Sequence, residues 1–341
     1  MMTTQSLTLG VIGAGRIGRL HAQHLVQRIP QARVLMVADV VEAAAQATAQ
    51  SLGIPHVTTD PLAVVQHPEV QAVVICSSTD THADLIAAAA GAGKHIFCEK
   101  PIALSLPTID RALAAVERAG VKLQIGFNRR FDANFRRVRQ AVVNGEVGQP
   151  HTLRIISRDP APPPIEYVKV SGGLFLDMTI HDFDMARYLI GSEVEAVYTQ
   201  AGVMVDPAIG AAGDVDTAVV MLRFANGVLG TIENSRRAVY GYDQRVEVFG
   251  SGGAVSADNN YPNQAWFADG QGVRRDLPLN FFMDRYTESY ITEMREFVEA
   301  VLEDKPIPVT GQDGRAPVVM GLAARRSYDE GRPVRLAEIV A

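Results

Sequence analysis

Residues Leu7–Ile12 form an unbroken apolar run that ends in Gly13-Ala14-Gly15-Arg16-Ile17-Gly18, and a helical pattern follows. No other stretch restricts the possible folds as much. A run this short and this apolar reads as a strand buried on both faces. Glycines at that spacing read as a tight turn at Gly13, a backbone without a Cβ at Gly15, and close strand–helix packing at Gly18. The helix start, with Arg16 and Ile17, offers N–H groups and a positive dipole to a phosphate. Asp39 follows 21 residues after Gly18 and ends a second apolar run, Arg33–Ala38. An acid there accepts hydrogen bonds from ribose hydroxyls and repels a 2′-phosphate. Strand, glycines, helix, strand and acid in this order predict a dinucleotide site, with NAD favoured over NADP. Arg33 precedes its strand and is poorly placed to hold a phosphate.

The alternation continues. Glu42–Leu52, Ala83–Ala92 and Leu106–Ala119 read as helices, and Ala72–Cys76, His95–Cys98 and Lys122–Gly126 as strands. Strands alternating with helices imply crossovers and a doubly wound parallel sheet. After about residue 127 the pattern changes. Thr152–Ser157, Val194–Ala201, Thr217–Phe224, Val228–Glu233 and Arg245–Phe249 are rich in β-branched residues. Asn226-Gly227 between two of them is a hairpin signal, because both turn positions accept positive φ. This half reads as a large, mostly antiparallel sheet, with long helices at Leu174–Ile190 and Asp284–Leu302 interrupting or flanking it. The expected division is 1–126 for the nucleotide domain and 127–341 for a substrate-binding and oligomerisation domain. The segment from Asp159 to Pro164 reads as a stiff extended loop.

Ligands of a doubly wound sheet lie beyond the carboxyl ends of its strands. That places Ser77 and Thr79 near the cofactor, while Thr79, Asp80 or Thr81 serves as N-cap of the next helix. It also places Glu99 and Lys100 near the nicotinamide, with Pro101 stiffening the turn. In the later helix, Asp177, His181, Asp184 and Tyr188 recur at four, three and four residues, on one stripe. A polar stripe on a mostly buried helix needs pairing or a wet cavity. Asp177 and His181 can form a carboxylate–imidazole dyad suited to proton transfer. A third ligand at metal-binding spacing is missing, and no metal is expected.

The 341 residues carry 32 Lys and Arg against 38 Asp and Glu, a net charge of -6. Without a basic block, nucleic acid is not an expected partner. Two cysteines, Cys76 and Cys98, lie in apolar runs and lack disulfide or zinc spacing, so a reducing cytoplasm is expected. No leader segment, membrane span or membrane partner is expected either.

Gly13–Gly18, the strand–loop Ser77–His82, Glu99-Lys100-Pro101 and the helix with Asp177 and His181 together resemble the Gfo/Idh/MocA oxidoreductase family, over nearly the whole chain. The run from Gly126 to Asp132, the spacing Asp177-x-x-x-His181-x-x-Asp184 and Tyr240-Gly241-Tyr242-Asp243 are most similar to members acting on cyclic polyols. The resemblance implies a Rossmann domain followed by an α/β domain whose open sheet builds dimers and tetramers. It implies NAD-dependent oxidation of a secondary hydroxyl of a small polyol or sugar to a ketone. Lys100 would contact the reacting hydroxyl, and Asp177 with His181 would move its proton. Asn128, Arg129, Asp159, Asp184 and Tyr242 would hold other hydroxyls. Members acting on such polyols can carry Asn at Asp159 and an apolar residue at Asn128, which leaves the ring isomer open. A pyranose sugar is an alternative substrate. An NAD-binding sensor of redox state or sugar, without turnover, is an alternative of another class.

Overall fold

The structure, a computed structural model, describes residues 6–340. The extreme N-terminus, where no leader was expected, and Ala341 lie outside the described residues. Two compact units divide the chain: Met1–Asn128 with Glu288–Ala316, and Arg129–Thr287 with Pro317–Ala341.

In the first unit, β1 (Leu7–Ile12), β2 (Ala32–Ala38), β3 (His56–Thr58), β4 (Ala72–Ile75), β5 (His95–Glu99) and β6 (Leu123–Gly126) form one sheet in the order β3-β2-β1-β4-β5-β6. All five pairings are parallel. Helices Arg16–Arg28, Glu42–Leu52, Pro61–Gln66, Thr79–Gly91 and Leu106–Ala119 are the crossovers. β1 and β4 are buried along their whole length, as their unbroken apolar sequences require. Arg33 proves to lie inside β2, near its start, beside the exposed Glu69 at 3.7 Å.

The sequence reading set the helix at Asp284–Leu302 beside the antiparallel sheet. That placement is corrected. Phe282–Arg285 is a separate short turn of helix, and Thr287–Leu302 is the long one. Thr287 Oγ1 donates to the Met283 carbonyl at 2.7 Å, where the helix is interrupted. Met294, Phe297 and Val298 then join Leu7, Leu9, Val11 and Phe97 in the core of the first unit. A division into 1–126 and 127–341 leaves this returning segment out, because nothing local to it says which sheet its apolar face covers.

In the second unit, β7 (Pro150–Arg158), β8 (Val194–Gly202), β9 (Thr217–Phe224), β10 (Leu229–Ser235), β11 (Asp243–Gly250) and β12 (Gly253–Ala257) form a sheet with β15 (Val334–Arg335). The order is β12-β11-β7-β10-β9-β8-β15. Only β7 and β10 pair in parallel. A two-stranded hairpin, β13 (Trp266–Asp269) with β14 (Gly272–Arg275), stands apart and is exposed throughout. The Asn226-Gly227 turn joins β9 to β10 as expected, with Gly227 at φ +89°. Helices Ala133–Val143 and Thr179–Ile190 contact the sheet.

The long helix expected over Leu174–Ile190 is broken. Gly173–Asp177 and Thr179–Ile190 are separate helices with Met178 between them at φ −97° and ψ −59°. Thr179 Oγ1 donates to the Leu174 carbonyl at 3.2 Å and to Asn234 Oδ1 at 2.8 Å, competing with the helical ladder. Asp177 therefore ends one helix and His181 sits in the first turn of the next, not on one straight stripe. Among the described residues no helix is long and apolar enough to cross a membrane.

Candidate functional site

The first unit carries the nucleotide elements. Gly13 adopts φ +98°, and a Cβ there would come within 2.6 Å of the Cys76 backbone. A Cβ on Gly18 would lie 1.9 Å from the Gly13 carbonyl oxygen, so only glycine permits this turn. A Cβ on Gly15 would meet no protein atom within 4 Å, and Gly15 caps the helix without a side-chain hydrogen bond. The helix start, with Arg16 exposed and Ile17 half-buried, is the kind of terminus whose first-turn N–H groups and dipole hold an anion. Asp39 Oδ2 accepts the Ala14 N–H at 2.6 Å and Oδ1 accepts the Val41 N–H at 2.8 Å. The carboxylate is therefore fixed against the glycine turn, where a ribose belongs. These residues fit a dinucleotide.

Ser77 follows β4, and Thr79 opens the helix Thr79–Gly91. The N-cap is Ser78, without a side-chain bond, not Thr79, Asp80 or Thr81. Thr81 instead bonds Ser77 Oγ at 2.6 Å and the Ser78 carbonyl at 2.8 Å.

Lys100 follows β5 and is half-buried. The residues on either side of it are held by buried histidines. His21 Nε2 meets Glu99 Oε1 at 2.7 Å, and the two ring nitrogens of His82 meet the Pro101 and Ser77 carbonyls at 2.8 and 3.0 Å. Glu99, expected to touch the cofactor, turns its carboxylate to His21 and lies over Gly126, where a Cβ would come within 2.9 Å. It anchors the chain before Lys100. Glu293, fully buried, brings a carboxylate oxygen within 4.8 Å of the His21 and Glu99 ligating atoms. Burial and the neighbouring Glu99 push the Glu293 carboxyl far up, so it is held neutral there. This cluster of metal-ligating residue types was not foreseen in the sequence. Its residues lie far apart in the chain, and neither Glu293 carboxyl oxygen has a hydrogen-bond partner.

The second unit gathers most of the polar candidates. Asp177 accepts the Tyr167 hydroxyl at 2.8 Å and Arg236 Nη1 at 3.0 Å. Asp159 lies 3.7 Å from the same Nη1. Burial pushes the Asp159 carboxyl up to about 6, Arg236 pulls it back, and Asp177 pushes it further. His181 is half-buried. Arg129 is buried and donates to Asp182 Oδ1 at 2.6 Å and to the Tyr242 hydroxyl at 3.3 Å. Burial raises the Asp182 carboxyl, while Arg129, Asn234 and Ser157 oppose this. Burial likewise pushes the Tyr242 phenol well up, keeping it neutral and able to donate. Asn128, at the end of the first unit's N-terminal segment, is 2% exposed.

Asp184 departs from expectation. It is 0% exposed, and Arg130 donates to both its oxygens, at 2.6 to 3.1 Å. Tyr188, on the same expected stripe, lies under Arg130, 5.3 Å from ring centroid to guanidinium. Asp184 has no exposed surface with which to meet a hydroxyl. It belongs to a buried ion pair that fastens the helix Thr179–Ile190.

Sequence reasoning missed Arg236, Tyr167, Asp182 and Asn234. Asp182 falls one residue off the expected stripe, in the same helix as His181 and Asp184, and is buried. Arg236 left no signal beyond a charged pair after a strand, which is ordinarily solvated.

Known proteins resemble this chain over nearly its whole length. The family model described as "Oxidoreductase family, NAD-binding Rossmann fold" matches residues 7–127, and the GFO/IDH/MocA C-terminal domain matches residues 135–256. Myo-inositol 2-dehydrogenase of Thermotoga maritima is 51% identical over 334 residues, 98% of this chain and 100% of that protein. Inositol 2-dehydrogenase of Rhizobium meliloti is 47% identical over 97% of this chain and 100% of that one. The crystal structure of scyllo-inositol dehydrogenase from Lactobacillus casei, with bound cofactor NAD(H) and scyllo-inositol, has a TM-score of 0.92 at 29% identity. It covers 98% of this chain and 100% of that one.

Proposed function

The chain belongs to the Gfo/Idh/MocA oxidoreductase family, and from that premise we propose that it oxidises a secondary hydroxyl of a cyclic polyol to a ketone with NAD, myo-inositol to 2-keto-myo-inositol. The observation that carries the substrate is the 51% identity, end to end, with the Thermotoga maritima enzyme. The observation that favours NAD is Asp39, whose negative charge at the end of β2 opposes a 2′-phosphate.

When bound, NAD supplies the hydride acceptor. The chain's own residues handle the proton and the oxygen. His181 takes the hydroxyl proton, and Asp177 steadies the ring as it becomes charged. Lys100, anchored through Glu99 and Pro101, donates a hydrogen bond to the oxygen as negative charge develops there. Asn128, Arg129, Asp159 and Tyr242 hold further hydroxyls. Asp184 supports them from the core.

The protein works as a homo-oligomer, a dimer or tetramer. On β9, Val219 and Met221 are exposed, and along one row of the sheet Arg223, Leu229, Thr152 and Phe249 are cross-strand partners in register. Leu229 and Phe249 are exposed in that row. An apolar sheet face of this kind is covered by a second copy. Both thiols are free and burial pushes each up, which fits a reducing cytoplasm.

The test is reduction of NAD and of NADP by the purified protein with myo-, scyllo- and chiro-inositol, glucose and xylose. NAD-dependent turnover of myo-inositol is the expected result. Turnover of a pyranose alone moves the substrate and keeps the mechanism. NAD binding with no turnover on any of them returns the protein to the sensor reading.

A further inference from the structure

Arg236 is 2% exposed and is among the largest fully buried side chains. The parallel pairing of β7 with β10 ends at Arg158 and Ser235, so Asp159 and Arg236 leave the sheet side by side. The Asp159 N–H donates to the Ser235 carbonyl at 2.9 Å, and the Ala238 N–H donates to the Asp159 carbonyl at 2.7 Å. The Arg236 N–H donates to the Asp216 carbonyl at 2.8 Å. Backbone bonds on both sides therefore hold the two residues in place. Arg236 Nη1 lies 3.0 Å from Asp177 Oδ2 and 3.7 Å from Asp159 Oδ2.

We propose that Arg236 is a positioning residue for proton transfer: it bridges Asp177 and Asp159, fixes the Asp177 carboxylate, and keeps the pair ionised at neutral pH. This rests on the reading that Asp177 and His181 handle the substrate proton.

A guanidinium shared by two carboxylates favours the ionised form of both. Like charges in a partly buried place push one of them to take a proton. Asp159 is faced by Arg236 and Arg129 as cations and by Asp177 and Asp182 as anions. Arg129 is already bound to Asp182 at 2.6 Å. Tyr167, whose phenol is raised by burial and by Asp177, stays neutral and only donates.

Removing the positive charge raises the pH at which the pair ionises, so activity is lost at low pH and recovered at high pH. An opposite charge at this range shifts a carboxyl by about one unit or more. With the wild-type Asp159 carboxyl pushed up to about 6, a shift of about one unit lowers kcat/KM roughly fivefold at pH 6 and leaves it nearly equal at pH 9.

The test is the pH profile of kcat/KM for wild type, Arg236→Gln and Arg236→Lys, with KM for NAD measured alongside. The expected result is an acid limb moved up by about one unit in Arg236→Gln, restored in Arg236→Lys, with KM for NAD unchanged. A loss equal at every pH, not rescued by Lys, means a merely structural role and overturns the proposal, as does an unmoved limb. If Arg236→Gln does not fold, Asp159→Asn decides. With one carboxylate gone beside the same cation, the limb moves down, and an unmoved limb overturns the proposal. A second readout needs no substrate. The carboxyl carbon of labelled aspartate, assigned by Asp159→Asn, is titrated by NMR in wild type and Arg236→Gln. Its midpoint rises in the variant if Arg236 acts as proposed, and an unchanged midpoint refutes it. If the wild type oxidises no polyol, the functional reading fails while this titration still decides the role of Arg236.

Discussion

Replacing Asp39 with alanine separates what this carboxylate does for the fold from what it does for the cofactor. An ionised carboxylate has about four acceptor positions on its two oxygens. Ala14 and Val41 take one on each, at 2.6 and 2.8 Å. One on each oxygen is left for the ribose hydroxyls. The internal pair contributes to stability, and only the outer pair contributes to binding. A hydrogen bond to a charged group is worth about 1.5–3 kcal/mol, and each 1.4 kcal/mol is about tenfold in affinity. Losing both outer bonds removes about 3–6 kcal/mol, so Asp39→Ala should weaken NAD binding by roughly 10²- to 10⁴-fold. NADP should gain relative to NAD, because the charge that repels its 2′-phosphate is gone. The assay is titration calorimetry with each nucleotide, without substrate, beside a thermal melt that reads the internal bonds. A dissociation constant for NAD within about threefold of wild type, in a protein that melts lower, would mean Asp39 serves the glycine turn alone. The ribose assignment would then be wrong.

Two further predictions use the same preparations. His181→Ala should lower kcat by roughly 10²–10⁴-fold, the usual contribution of a positioned base, while NAD still binds. Unchanged turnover would remove His181 from the role given to it. His24 bears on acid stability. Burial, His21 and Arg28 lower it from 6.5 to about 4 in the fold. The unfolded chain therefore binds a proton that the native chain refuses, and stability falls as pH drops from about 6.5 to 4. His24→Leu should flatten the urea-unfolding free energy over that window relative to wild type. A parallel decline in both proteins would show that His24 is not the group responsible.

The first sheet was legible because its constraints are local. Gly13 needs positive φ, Gly18 cannot carry a Cβ, and an unbroken apolar strand must be buried on both faces. Period-two runs and Asn226-Gly227 gave most of the second sheet for the same reason. What failed depended on partners distant in sequence. Residues 287–302 show a clear apolar face, yet only the tertiary structure says that Leu7 and Phe97 lie against it. The stripe from Asp177 to Tyr188 was sound as spacing, but the Thr179 hydroxyl breaks the helix before it can act as one stripe. Asp177 therefore found Tyr167 and Arg236, and Asp184 found Arg130. Polar periodicity marks residues that need partners and does not say whether the partner is a ligand or another side chain.

The buried ion pairs of the second unit show why that distinction matters. Arg129–Asp182, Arg130–Asp184 and Arg285–Asp132 each close at 2.6 Å with both partners almost fully buried. Such pairs add little net stability, because desolvation offsets their attraction, but breaking one strands a buried charge at about 3–5 kcal/mol. What they gain is geometry. Arg129 and Arg130 are adjacent in sequence and clamp Asp182 and Asp184, two residues apart on the helix that begins just before His181. That fixes both the rotation and the height of the helix, and so the place of the imidazole. Asp184→Asn should accordingly lower unfolding free energy by about 3–5 kcal/mol. Replacing both partners, Arg130→Met with Asp184→Leu, should recover most of that stability and still leave kcat reduced, since apolar contact fills the space without setting the helix rotation. Chemical denaturation of the single and double variants, with kcat measured on each, separates the effects. A double variant with wild-type kcat would show that the pair does not position His181.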